Sequence, residues 1–247
     1  MKIAVCLKRV PDTTAKIVIG PDGRSIDETG VKFVPNPYDE YALEAAIALK
    51  EKAGAGETVV VSLGGESTPE TIRTALAMGI DRAVLLKGGP SADGLEVARA
   101  LSGELKGFDL VLFGKMAVDD YNHQVGVMVA ELLELPCISA VSSLTIEGEV
   151  VTAEREVEGG IEVVECRLPA VITTDKGVNT PRLPSLKGIM AAKKKPFEIK
   201  DATVGAGGVN VLALALPPER QAGRIVGEGP DAAPELARLL RTEAKVI

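Results

Sequence analysis

The strongest constraint on the fold is a regular alternation of short apolar runs and helix-forming segments up to Phe113. Ile3 to Leu7, Thr58 to Leu63, Ala83 to Leu86 and Leu110 to Phe113 read as buried strands, near-continuous in apolar residues as parallel strands covered on both faces are. Asn36-Pro37-Tyr38-Asp39-Glu40 places an N-cap residue before a proline at the first helical position and acids in the first turn, so a helix starts there. It is expected to reach about Ala53, where Gly54 and Gly56 stop it. Thr68 to Met78 is a second, Ala-rich helix, and Ser91 to Lys106 a third, expected to be interrupted at Gly103. Strand and helix in alternation imply right-handed βαβ units, hence an α/β fold with a parallel sheet and helices on both faces.

Two regions depart from the alternation. Lys16 to Val34 carries the turn Gly20-Pro21-Asp22-Gly23 and reads as a hairpin-like excursion. After Pro136 the chain becomes β-rich: Ser142 to Glu149, Val150 to Glu156, Ile161 to Arg167 and Ala170 to Thr174 are expected to add antiparallel strands to one edge of the sheet. Residues 1–216 are taken as the α/β domain. Pro217 to Ile247, rich in Gly and Pro before a short helix at Pro234 to Ala244, is taken as an extended C-terminal tail lying on a partner.

Composition excludes several functions. The 247 residues are 46% hydrophobic, enough for a sizeable core, and carry a net charge of −7. An acidic chain with 3% aromatics and no Trp lacks both the positive surface and the stacking platforms of a general nucleic-acid binder. Cys6, Cys137 and Cys166 form no CxxC pair, and with a single histidine a Cys/His zinc site is nearly excluded. Cys6 and Cys137 lie in apolar stretches and are expected to be buried, reduced thiols. No apolar run is long enough for a signal peptide or a membrane span, so a cytoplasmic location without membrane insertion is expected.

The stretch GKMAVDDYNHQVG, Gly114 to Gly126, joins a buried strand to a helix. It can bend sharply, cap the helix and leave backbone N–H groups free for a phosphate at the carboxyl end of a parallel strand. An ordinary strand-to-helix loop explains the same pattern equally well. His123 is the only candidate for general acid/base work, with Asp119 and Asp120 beside it; those acids are equally explained as helix caps. Two adjacent carboxylates are too few to hold a divalent metal. Ser62-Leu63-Gly64-Gly65-Glu66-Ser67 also joins strand to helix and faintly resembles the SGGxDS loop of ATP pyrophosphatases, with an extra leucine; close helix packing explains it as well as phosphate contact. Further on, Lys193-Lys194-Lys195 follows Leu183, Leu186, Ile189 and Met190 on a Pro-bounded segment. Apolar anchors rimmed by charge suit a protein docking site, and a helix packed into its own core is the competing reading.

Several segments together resemble one family across nearly the whole chain, the β subunit of electron transfer flavoprotein. They are AVCLKRVPD, NPYDEYALEAAIALKE, ETIRTALAMGIDRA, GKMAVDDYNHQVG, EREVEGG, LPAVITTD and PRLPSLKGIMAAKKKP. The resemblance implies an adenine-nucleotide-binding, Rossmann-like domain in a heterodimer whose α subunit holds most of the FAD, while the β subunit walls the flavin site and binds AMP. It implies AMP contacts from Cys6, from Asn36, Pro37, Tyr38 and Asp39, from Leu63, and from Gly114, Lys115, Met116, Ala117, Val118, Asp119, Asp120, Tyr121, Asn122, His123, Gln124 and Val125. It identifies 181–195 as a recognition loop for flavin dehydrogenases, with Leu186 as anchor and Lys193, Lys194 and Lys195 as basic flank. Glu156 corresponds to a carboxylate that contacts the mobile flavin domain.

Members that bifurcate electrons read DGDTAQVG in the cradle and hold a second FAD there. The bulkier, charged Asp119-Asp120-Tyr121-Asn122-His123 is therefore expected with AMP. Thr13 stands where some members place an aromatic near the flavin. The expected function is an electron carrier without bond-making residues, passing single electrons from dehydrogenases such as acyl-CoA dehydrogenases in fatty acid oxidation to a membrane quinone oxidoreductase. The alternatives are a self-contained adenine-nucleotide enzyme or a nucleotide-sensing protein of related fold.

Overall fold

The computed structural model describes residues 1–89, 93–202, 204–205, 207–219 and 222–247. Two compact units are present, Met1–Ala213 and Leu214–Ile247. The first begins β1 (Lys2–Cys6), β2 (Arg9–Pro11), β3 (Phe33–Pro35), α1 (Pro37–Ala53), β4 (Glu57–Gly64), α2 (Thr68–Met78), β5 (Arg82–Lys87), α3 (Gly94–Glu104), β6 (Leu110–Gly114) and α4 (Val125–Leu133). It continues with β7 (Cys137–Glu147), β8 (Val150–Val157), β9 (Gly160–Arg167), β10 (Ala170–Thr174), α5 (Leu186–Ala192) and β11 (Phe197–Asp201).

Nine strands form one sheet in the order β11-β5-β4-β1-β6-β10-β7-β8-β9, while β2 and β3 pair separately and antiparallel. Neighbours from β11 to β7 run parallel, and β7, β8 and β9 run antiparallel. Because successive side chains on a strand point to opposite faces, β1 feeds two cores. Ile3 and Val5 pack with Leu43, Ile47, Ile72 and Leu76 of α1 and α2, whereas Ala4 and Cys6 pack with Ala98, Leu101, Val129 and Ala130 of α3 and α4. Helices thus cover both faces, as the alternation requires.

The chain leaves β1 outward to β4 and β5, then crosses back to β6 on the other side of β1. Connections on the two sides of this switch point diverge and open a crevice at the carboxyl ends of the strands. That crevice is the candidate site.

Four expectations need correction. Gly103 lies within α3 and does not interrupt it; the described helix starts at Gly94 with Asp93 as cap, and Ser91 of the expected start lies outside the described residues. β10 is an interior strand parallel to β6, with Val171 and Ile172 opposite Val111 and Leu112, so the antiparallel addition consists of β8 and β9 on β7. β7 itself begins at Cys137, where its first residues pair parallel with β10 before it continues alongside β8. Cys137 is half-buried and Cys6 buried, and all three cysteines are free. In the second unit Pro230–Ala232, α6 (Ala233–Leu239) and a π turn at Leu240–Ala244 make one helical run.

Candidate functional site

The crevice has a volume of about 470 Å³, within the range of small-molecule sites. Cys6, Val61, Leu63, Val97, Leu101 and Phe113 give it apolar walls, and the loops after β1, β4, β5 and β6 supply its polar rim.

Asp39, 6% exposed in the first turn of α1, ties this rim together. One carboxylate oxygen accepts the backbone N–H of Lys8 at 2.8 Å, and the other accepts that of Gly114 at 3.0 Å. A single side chain thereby joins the ends of β1 and β6 to the start of α1 across the switch point. Burial pushes its carboxyl up to about 7, against the pull of the backbone donors and of Lys8. Burial, with the Asp39 charge adding to it, also pushes the Cys6 thiol well up, so Cys6 acts as an apolar wall.

Asn36 does not cap α1 with its side chain. Its amide instead donates to the Met116 carbonyl at 2.8 Å and accepts from the Val118 N–H at 3.1 Å. It holds the 116–118 backbone as a template strand would, and at 1% exposure it is shielded from competing water. Thr174 Oγ1 donates to the Phe113 carbonyl at 3.1 Å and Lys115 N–H to the Thr174 carbonyl at 2.9 Å. The loop after β6 is therefore fixed at its root.

Gly114 needs to be glycine for a reason other than ligand approach. A Cβ there meets Asp39 Oδ1 at 2.5 Å and Tyr38 backbone carbon at 2.6 Å; the residue admits the start of α1. Gly65, by contrast, faces open space with nothing within 4 Å. It lines the crevice beside Gly64 and Thr68, where a ligand can approach the backbone closely.

Electrostatics favour an anion of limited charge. Gln124, the cap of α4, makes no side-chain bond to its helix, so first-turn N–H groups of α4 remain available beside the crevice, whereas at α2 the Thr68 N–H donates to the Gly65 carbonyl at 3.1 Å and Pro69 has no N–H. The cations on the rim are engaged. Lys8 Nζ lies 2.8 Å from Asp119 and 2.9 Å from Asp120; burial draws its pKa down, and the two carboxylates more than offset this. Lys115 Nζ is 2.7 Å from Asp175, and the Arg9 guanidinium stacks 3.4 Å over the Phe33 ring.

Of the residues expected to hold the nucleotide, Cys6, Asn36, Asp39, Leu63, Gly114, Lys115, Met116, Ala117, Asp119, Asp120, Asn122, His123, Gln124 and Val125 line the crevice. Pro37, Tyr38, Val118 and Tyr121 are not among its lining residues. Tyr38 packs behind Gly114, and Val118 serves through its backbone bond to Asn36. Tyr121 is 61% exposed with φ 56°, and His123 has φ 55°, so the loop turns sharply just before α4. Sequence reasoning did not place Lys8, Arg9, Val97, Leu101 or Gly94 in the site. Lys8 stands in the charged loop after β1, and that position at a strand's carboxyl end was the signal available. Among the described residues no cluster of side chains fits a metal ion.

The 181–195 segment lies on α1 and α2, away from the crevice lining. Leu186 is 84% exposed on α5, with Leu183 and Met190 also exposed. Lys193 and Lys194 are exposed. Lys195 is not free in the same way, since its Nζ donates to the carbonyls of Leu76 at 2.8 Å and Ile80 at 2.6 Å at the end of α2. Glu156 is exposed on β8, opposite Ile161 of β9.

Residues 24–204 match the family model described as electron transfer flavoprotein domain. The whole chain is 42% identical over 260 residues to the electron transfer flavoprotein subunit beta of Bacillus subtilis, with all of both chains covered. It is 43% identical over 249 residues to that of Syntrophomonas wolfei, covering 100% of this chain and 98% of the relative. Against the human subunit identity is 41% over 233 residues, covering 90% and 91%. The family model spans most of the chain and these relatives exceed 40% identity over 90% or more of it, so the chain belongs to the electron transfer flavoprotein family as a β subunit.

Proposed function

We propose that this chain pairs with an electron transfer flavoprotein α subunit, binds AMP in the crevice at the β1/β6 switch point, and walls the FAD site held mainly by the α subunit. The observation that carries the AMP reading is the state of the rim cations. Lys8, Lys115 and Arg9 each have an acidic partner, Asp119 with Asp120, Asp175 and Glu28 in turn, so a monophosphate can rest on backbone N–H groups while a triphosphate finds no unpaired cation among them. The apolar walls accept the adenine, and Asn36, Asp39 and Gly114 hold the loop that covers it. FAD, when bound, supplies the one-electron redox chemistry. This chain's residues position, shield and dock.

Exposed Leu183, Leu186 and Met190, flanked by Lys187, Lys193 and Lys194, supply the docking patch for flavin dehydrogenases, and a membrane quinone oxidoreductase takes the electrons onward. An exposed leucine costs nothing to the fold when truncated. Leu186→Ala should therefore slow reduction by an acyl-CoA dehydrogenase and leave FAD content and melting unchanged. Unchanged reduction kinetics refute the docking reading. Co-purification with an α subunit and a yellow flavin spectrum support the carrier over the alternative of a nucleotide enzyme, which sustained ATP turnover by the isolated chain would favour.

A further inference from the structure

The docking segment is held in place more firmly than an adaptable loop needs to be. At its leading end Arg182 binds two acids of α1. Its backbone N–H and Nε donate to Glu44 Oε2 at 3.0 and 2.8 Å, and Nη2 donates to Glu44 Oε1 at 2.8 Å. Nη1 and Nη2 donate to the carboxylate of Glu51 at 2.7 and 2.9 Å. Nearby, Asn179 Nδ2 donates to the Tyr41 carbonyl at 2.9 Å, so α1 is gripped over three turns.

Glu44 is only 8% exposed. A buried carboxylate costs stability unless paired, and an apolar pair of similar size would serve the core as well or better. What the ion pair supplies is a fixed direction, because the planar guanidinium donates to its carboxylate partners in one geometry. At the trailing end Lys195 caps α2 through its two carbonyl bonds. Between the ends, Ser185 Oγ accepts the Gly188 N–H at 3.0 Å. Gly188 lies against α2 so closely that a Cβ would stand 2.2 Å from the Ala77 carbonyl oxygen, and Ala192 is buried.

We propose that Arg182, through Glu44 and Glu51, is a positioning residue that holds α5 as a preformed docking platform, with Leu183, Leu186 and Met190 already facing outward before a dehydrogenase arrives. The proposal rests on the docking reading above. It adds that ordering of the segment is complete in the free carrier, so little conformational entropy remains to be lost on encounter. Fast, reversible docking of the kind electron traffic needs then follows from a small rigid patch. Lys195 belongs to the platform's mounting, which leaves Lys187, Lys193 and Lys194 as the charges that steer a partner.

The test uses the flavin-loaded heterodimer and a flavin dehydrogenase that reduces the wild-type carrier. Arg182→Met alone strands the buried Glu44 charge, so the informative variant is Arg182→Met with Glu44→Gln. It is expected to raise KM for the carrier by roughly fivefold to tenfold, to leave kcat within about twofold, and to speed amide exchange across 186–192. Leu186→Ala, run in parallel, is expected to raise KM without changing that exchange. If Leu186→Ala raises KM and the double variant does not, the clamp is overturned and the docking reading stands. If Leu186→Ala has no effect, the docking reading fails and the clamp proposal with it. Faster exchange in the double variant with unchanged KM equally overturns the clamp, since mobility would then be irrelevant to docking.

Discussion

Gly114→Ala distinguishes two reasons for a glycine at the heart of the crevice. The added methyl would stand 2.5 Å from Asp39 Oδ1 and 2.6 Å from the backbone carbon and Cβ of Tyr38, where ordinary carbon contacts need roughly 3.5 Å or more. The first turn of α1 must then retreat by about 1 Å, and Asp39 cannot keep both its bond to residue 114 at 3.0 Å and its bond to Lys8 at 2.8 Å. Overpacking costs about 1–3 kcal/mol and a weakened buried hydrogen bond about 1 kcal/mol more. The sum, roughly 2–4 kcal/mol, lowers the melting temperature by about 4–16 °C for a chain of this size. Calorimetry of the heterodimer, with AMP supplied and after its removal, reads the effect directly. The drop should persist without nucleotide, because the obstacle is α1. An unchanged melting temperature in the nucleotide-free complex, with weaker AMP binding alone, would refute this reasoning and restore ligand approach as the reason for the glycine.

Gly65→Ala is the complementary case: with no protein atom within 4 Å of the new methyl, stability should stay within about 0.5 kcal/mol while AMP affinity falls, and unchanged affinity in equilibrium dialysis would move the phosphate away from α2. Asp39 is raised from 3.8 to about 7, so between those values the folded chain holds a proton that the unfolded chain releases. Its contribution to stability therefore falls as pH rises through that window and is level above it, by at most about 4 kcal/mol; Asp39→Asn should flatten that part of a pH–stability profile, and a slope identical to wild type refutes the assignment. Gly188→Ala drives a methyl to 2.2 Å from the Ala77 carbonyl, prying α5 off α2, and should raise KM for the carrier in a dehydrogenase assay without changing FAD content; wild-type KM would contradict the fit of α5 on α2.

Much of the architecture was legible because buried parallel strands advertise themselves locally. Val59, Val60 and Val61 or Leu110, Val111 and Leu112 are fully buried, and their apolar runs need no knowledge of their partners. Partner choice is a long-range property, and there the reading failed. Ala170 to Thr174 is apolar enough for an interior parallel strand or an added edge, and only its register with β6 decides. β11 escaped notice because FEIKD at the sheet edge mixes exposed charge with a partly buried Phe197; its pairing with β5 is made by backbone groups.

The site shows the same division. Asn36 carries the local signature of a helix cap, yet its amide serves residues 116 and 118, 80 and 82 positions away. Lys195 sits in a run of three lysines and differs from its neighbours only because two carbonyls of α2 lie within its reach. Lys8 stands unremarked within AVCLKRVPD, and its role emerges from Asp119 and Asp120 being folded over it.

The central claim is that the crevice of this chain holds a nucleoside monophosphate while the electrons pass through a flavin held mainly by the α subunit. Denaturing the purified heterodimer, then identifying and counting the released ligands by mass, tests it most directly. One AMP and one FAD per heterodimer are predicted. Two FAD without AMP would contradict the account, as would a di- or triphosphate in place of AMP.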